Sequence, residues 1–230
     1  MSFKDYTPKA ISDIVFANNH DEQLLVDIVN GNRPFPASGK NGILLYGVNG
    51  TGKSALAKLL PDAIEAVKTG NLADAKVVRV QHGNNGAALI QQLQAQSWTV
   101  PISASHHYFV LDEVDLLKGQ FMDQLKSVMN TGTSIFVMTT NHYTEIEMGV
   151  RDRCHCIPFN AAPSASWLPL AKRMLADADI HNITDAAMIA VINTCNGSAR
   201  NIVDAIVGVI LTRRKNTASQ PQIATSPSVM

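Results

Sequence analysis

Two short stretches carry residue types that can act on phosphate. In GVNGTGKS, Gly47 to Ser54, three glycines are interspersed with small residues and the run ends in a lysine and a hydroxyl. Glycines let backbone N–H groups approach phosphate oxygens with no Cβ in the way, and a helix starting there turns its positive end toward the same anion. Gly47, Asn49, Gly50, Thr51 and Gly52 are therefore the expected cradle. Lys53 brings a mobile positive charge to the β- and γ-phosphate oxygens, and the Ser54 hydroxyl is the expected Mg²⁺ ligand. The strand-like GILLY before the run and the helical ALAKLL after it supply the context that such a loop needs. The second stretch is YFVLDEVD, in which a buried apolar run releases Asp112 and Glu113 at its end. Two acids after a strand are ordinarily a solvated loop; beside a phosphate loop they are placed for chemistry. Asp112 is expected in the Mg²⁺ shell through water, and Glu113 is expected to orient or deprotonate the attacking water. Asp115 reads as a cap for the helix LLKGQFMDQLKSVM.

Something must hold these groups at one place. GILLYG, AKVVRV, YFVLD, SIFVMTT and HCIPF are short apolar or β-branched runs separated by helical or loop sequence. That is the pattern of parallel strands buried on both faces, so an α/β fold with a five-stranded, doubly wound parallel sheet is expected over residues 1–160. A helix from Asn18 to Gly31, capped by Asn19 and stopped by Gly31, precedes it. Pro61 is expected to end or kink the helix after the phosphate loop. Beyond Pro158 the strand signal ends, and helices starting near Ser164, Thr184 and Ser198 make a small all-helical lid over 161–215. Residues 216–230, rich in Ser, Thr, Pro and Gln, read as a flexible tail.

Composition narrows the class. Charged residues are 17% of the chain, and no run of about eighteen uncharged apolar residues occurs, so no membrane span is expected. The start MSFKDYTPKA has no secretory character, and three cysteines do not make a disulfide framework, so a reducing cytoplasm is the expected setting. Cys154, His155 and Cys156 stand too close for a zinc cage and read as strand residues. Nineteen basic residues against nineteen acidic ones give no net attraction to nucleic acid, which leaves only a local patch for that purpose.

Over about Tyr6 to Arg214 the chain resembles the AAA+ superfamily of P-loop ATPases, and within it the clamp-loader group that includes replication factor C. YTPKAISDIVF is similar to that group's N-terminal box, which implies an adenine pocket at Tyr6, Pro8 and Asp13 to Val15, although Thr7 stands where arginine is usual. The end of SIFVMTTN resembles sensor 1, implying that Asn141 contacts the γ-phosphate or the attacking water. VRDRC is similar to the Ser-Arg-Cys box, with Asp152 replacing serine; Arg153, in preference to Arg151, is then the arginine finger for a neighbouring subunit. In NGSARN, Arg200 matches the sensor 2 arginine. Lys126 stands where the group has a basic residue that relays DNA contact. The resemblance implies ATP and Mg²⁺ as ligands and a homo-oligomer, ring or spiral, as the working form. It implies a machine acting on DNA, with Asn84, Asn85, Gln91 and Lys126 as candidate contacts, and a sliding clamp or other protein client as further partner. The helical collar and the Cys₄ zinc module of the group are not found in the sequence, so a helicase loader, a remodelling factor or a nucleotide-gated scaffold stays open as the alternative.

Overall fold

The computed structural model describes residues 5–117 and 119–218. Within them the chain divides into two compact units at Ala162 and Pro163. The first is built on five strands, β1 Gly42–Tyr46, β2 Ala75–Arg79, β3 His107–Asp112, β4 Ser134–Thr140 and β5 Cys154–Pro158, in the order β2-β3-β4-β1-β5. Every neighbouring pair is parallel. Five helices flank the sheet: α1 Asn19–Val29, α2 Lys53–Thr69, α3 Ala87–Ser97, α4 Gln120–Val128 and α5 Met148–Asp152.

Period-two alternation sends Leu44, Phe109, Leu111, Phe136 and Met138 to one face, where they pack with α3 and α4. Ile43, Leu45, Tyr108, Val110, Ile135 and Val137 go to the other, against α1 and α2. Both faces are covered, which is why these strands are written as nearly continuous apolar runs. All seven residues of β4 are buried.

Several local expectations are corrected. Asn18, not Asn19, caps α1, its side chain accepting the Asp21 N–H. Pro61 does not end α2, which runs on to Thr69; the apolar stripe Leu56, Ala57, Leu60 and Ile64 is buried and holds the helix through the missing bond. Asp115 caps no helix. It is buried in a 3₁₀ turn over Val114–Leu116, where it accepts the Thr140 hydroxyl at 2.7 Å, and α4 starts only after Gly119, whose φ of 58° breaks the expected longer helix.

The second unit holds a 3₁₀ turn Ser164–Trp167 and helices α6 Leu168–Ala176, α7 Asp185–Asn193 and α8 Ala199–Ala218. Thr184 caps α7 by accepting the Ala187 N–H, and Ser198 Oγ accepts the Asn201 N–H at the start of α8. Trp167, Met174, Ile192, Ile202, Ile206 and Ile210 form its buried interior. Residues 216–218 belong to α8; the rest of the segment read as a tail, 219–230, lies outside the described residues. No helix among the described residues is long and apolar enough to cross a membrane.

One buried carboxylate ties α2 to the segment before β3. Glu65 is fully buried, and it accepts Ser105 N–H at 2.7 Å, Ser105 Oγ at 2.5 Å, Thr69 Oγ1 at 2.7 Å and Tyr108 OH at 2.8 Å. Burial raises its carboxyl pKa, but the bonds from Ser105, Thr69 and Tyr108 outweigh burial and hold it below the ordinary value. Glu65→Ala leaves those donors without an acceptor and is expected to cost about 3 kcal/mol, read as a lower urea midpoint at pH 7. Because the folded-state pKa is depressed, this stabilisation is complete above the unfolded value of about 4.3 and is lost as pH falls through the folded one. The gap between wild type and variant should therefore narrow in acid.

Candidate nucleotide site

The loop after β1 is lashed to the ends of two neighbouring strands. Gly47 N–H donates to the Thr140 carbonyl at the end of β4, and Thr51 Oγ1 donates to the carbonyls of Val48 and of Phe159, just past β5. Gly47 has φ 145°, and a Cβ there would stand 2.6 Å from the Phe159 carbonyl oxygen, so no other residue fits. Gly52, at φ 108°, is the N-cap of α2 and opens the first turn without a side chain over the free N–H groups. Asn49 is exposed at the tip.

Lys53 is buried inside this curl. Its Nζ donates to the carbonyls of Gly47 at 2.9 Å and Val48 at 2.7 Å, and burial lowers its pKa, partly offset by Asp112 and Asp115. A desolvated ammonium whose hydrogen bonds go to neutral carbonyls gains from an anion. A triphosphate fits those demands. The metal would need oxygens from that ligand and from water as well as from Ser54 and Asp112. No group of three or more His, Cys, Asp or Glu able to cage a cation exists among the described residues.

Ser54 and Thr139 meet on one carboxylate oxygen. Asp112 Oδ1 accepts Ser54 Oγ at 2.6 Å and Thr139 Oγ1 at 2.5 Å. Thr139 Oγ1 also accepts the Glu113 N–H at 3.0 Å, which fixes Glu113 in the left-handed region, φ 61°. The Glu113 carboxylate is turned to Arg79, the last residue of β2, in a two-oxygen clasp at 2.9 to 3.2 Å. That clasp raises the Arg79 pKa through the hydrogen bonds and charge of Glu113. Neither Arg79 nor Thr139 stands out in the sequence; the signal was their place, one at the register partner of Asp112 and one two residues before Asn141.

The remaining expected residues divide by location. Asn141 directly follows β4 and is half-buried beside the loop's anchor at Thr140. At the N-terminus, Tyr6, Pro8 and Val15 are half-buried, and Phe16 meets Phe159 edge-on at 5.5 Å, which brings the segment to the phosphate loop. Asp13 accepts the N–H groups of Lys9 and Ala10, so it shapes that turn. Arg153 is at the opposite edge, before β5, where Nε donates to Asn130 Oδ1 and an Nη to the Gly149 carbonyl. Arg151 lies over Tyr143, 5.0 Å from the ring centre, and Tyr143 in turn stacks on Tyr46. Arg200 is exposed in the first turn of α8, in the second unit. Lys126 contacts Asp123 at 3.2 Å and Glu147 at 3.5 Å. Asn85 donates to the Leu116 carbonyl, while Asn84 and Gln91 are exposed.

Residues 43–159 match the sequence profile of the family described as ATPase family associated with various cellular activities (AAA). No curated protein matches the sequence. Among solved structures, the Thermotoga maritima RuvB Holliday junction branch migration motor is 17% identical, with a TM-score of 0.67 over 91% of this chain and 67% of that one. C. elegans PCH-2 is 14% identical, with a TM-score of 0.61 over 91% of this chain and 71% of that one. At these identities the likeness concerns the fold.

Arg79→Ala is expected to free the Glu113 carboxylate and to raise severalfold the phosphate that the chain releases from ATP on its own. Unchanged or lower release would mean that the clasp does not restrain Glu113.

Proposed function

Because the chain belongs to the AAA family of ATPases, we propose that it binds ATP with Mg²⁺ in the Gly47–Ser54 loop and hydrolyses it at contacts between copies of a homo-oligomer. The observation that carries this reading is the place of Arg153. It precedes β5, whereas the phosphate loop follows β1, and Cys154 pairs with Gly42 at the other end of that strand. Five residues of strand separate them, roughly 16 Å, so Arg153 serves no phosphate of its own chain. An arginine there completes a site only on a neighbour.

In this reading Lys53 and the loop N–H groups hold the β- and γ-phosphates, and Tyr6, Pro8 and Val15 receive the adenine. Ser54 and Asp112 hold Mg²⁺, Asp112 through water; the ion supplies charge neutralisation at the phosphate oxygens. Glu113, released from Arg79, orients the attacking water, with Asn141 beside it. Arg200 takes the part of the sensor 2 arginine. The arginine finger supplies the last charge, a contribution worth about 10³ to 10⁵ in rate in related phosphoryl transfers.

We read the assembly as a clamp-loader-like machine acting on DNA in replication or repair. Support comes from the order of the boxes along the chain and from a fold shared with a branch migration motor. Asn84, Gln91 and Lys126 are the contacts carried forward; Asn85 is committed to the Leu116 carbonyl. The absence of net positive charge favours, as the second reading, a protein client of the helicase-loader or remodelling kind.

ATP hydrolysis and mass by light scattering, measured with and without primer–template DNA, test both parts. Faster hydrolysis on DNA by an ATP-dependent oligomer is the expected result; assembly indifferent to DNA transfers the reading to a protein client. Glu113→Gln should trap the ATP-bound assembly with hydrolysis at least about a hundredfold down. Mixed Arg153→Ala and Lys53→Ala chains should regain activity through hybrid sites, and proven co-assembly without recovery would remove Arg153 from its role.

A further inference from the structure

The sheet has two outer strands, and their free sides are finished differently. On β5 the Arg153 carbonyl faces β1, where it accepts the Gly42 N–H, so the Cys154 carbonyl faces outward. Lys40 covers it: Nζ donates to the carbonyls of Cys154 and Asp152, each at 2.8 Å. A lysine laid on an outer strand is one way to keep a further strand from joining. At the other end of the sheet β2 pairs only with β3 among the described residues. Val80 N–H donates to the Asp112 carbonyl, so alternation turns the backbone groups of Val77 and Arg79 away from β3. Among the described residues no strand meets them there, and no side chain does for Val77 what Lys40 does for Cys154.

Two side chains make this open strand selective. Val77 and Arg79 are two residues apart and so share one face. Val77 is 49% exposed and the Arg79 side chain 65%. Arg79 commits Nε and Nη2 to Glu113, which leaves the N–H groups of Nη1 for an acceptor outside the chain. Lys76 and Val78 lie on the other face, Lys76 half-buried and Val78 in the core beside α3.

A strand laid along β2 would bring one of its side chains beside Val77 and another, two residues away, beside Arg79. The first is best apolar. The second must accept from a guanidinium, and a carboxylate does this most strongly. We propose that β2 receives an extended segment of a partner protein that carries a carboxylate two residues from an apolar side chain. Ladder bonds to the backbone of Val77 and Arg79 supply affinity, and the two side chains select the sequence. The contact goes beyond the nucleotide reading, since neither Arg153 nor hydrolysis takes part in it.

The probe is a fluorescein-labelled, end-capped peptide that reads threonine, valine, threonine, glutamate, threonine, valine, threonine. Its symmetry serves a parallel or an antiparallel strand. Titrated with the full chain in the absence of nucleotide, its anisotropy should rise to saturation. Glutamine in place of the glutamate should weaken binding at least about tenfold, and Arg79→Ala should erase that difference. N-methylation of one alternate set of peptide amides should abolish binding and of the other set should spare it, because only one set faces β2. Val77→Pro, compatible with an outer strand whose N–H points away from its neighbour, should also abolish binding with the melting temperature kept. No saturation, indifference to the glutamine exchange, or binding that survives methylation of either set overturns the proposal. Val77→Cys chains that cross-link to one another in dilute solution would assign the open strand to a second copy and overturn it as well.

Discussion

Parallelism of all five strands is the constraint from which the rest follows. Each strand begins on one edge of the sheet and ends on the other, so whatever follows the strands is gathered and whatever precedes them is kept away. The phosphate loop follows β1, the carboxylates end β3, and Asn141 follows β4; three strands adjacent in the sheet deliver three functions to one edge. Arg153 precedes β5 and is excluded from that edge by the same rule. On the proposed reading, the fold gives each copy an almost complete site together with the missing piece of another.

Within the site, order is imposed from β4 as much as from the phosphate loop. Thr139 and Thr140 are consecutive and both buried, and alternation points them to opposite sides. Thr139 bridges Asp112 and the Glu113 N–H, while Thr140 takes Asp115 and anchors the turn that follows. Asp112 and the Glu113 backbone are therefore set before any ligand arrives, which is the condition for positioning to contribute to rate, while the Glu113 carboxylate still faces Arg79. Lys53 is the exception. Buried and bonded to neutral carbonyls, it is the group with most to gain from an anion, so on the proposed reading phosphate binding would reorganise the lysine and leave Asp112 in place.

How much of this was legible in the sequence follows from the range of the interactions. The five strands and the phosphate loop could be read, because apolar runs and a glycine-lysine-serine spacing are local signals. Pro61 does not end α2, since tertiary burial of the α2 stripe overrode a local rule; Asp115 misled because its partner, Thr140, lies on another strand. Arg79 and Thr139 stayed hidden for the same reason. Their meaning is a register, Arg79 opposite Asp112 across the β2–β3 pair, and a sequence without its pairing does not print a register.

Both groups that would complete hydrolysis are engaged within the chain itself: Glu113 by Arg79, and Arg153 by Asn130 and the Gly149 carbonyl. These restraints are unequal. The Arg79 side chain is 65% exposed, so its clasp on Glu113 is a surface pair that water and salt weaken and that a small competing interaction can open. Arg153 has two oriented acceptors but leaves guanidinium N–H groups to spare, since the fork carries five donors. It can therefore meet a neighbour's phosphate without first abandoning its own chain. On the proposed reading, assembly would supply the finger at little cost in reorganisation, and an anion competing for Arg79 would favour release of Glu113. A polyanion or an acidic partner at the exposed end of β2 would provide one, and this is how a client bound outside the site could govern the water within it.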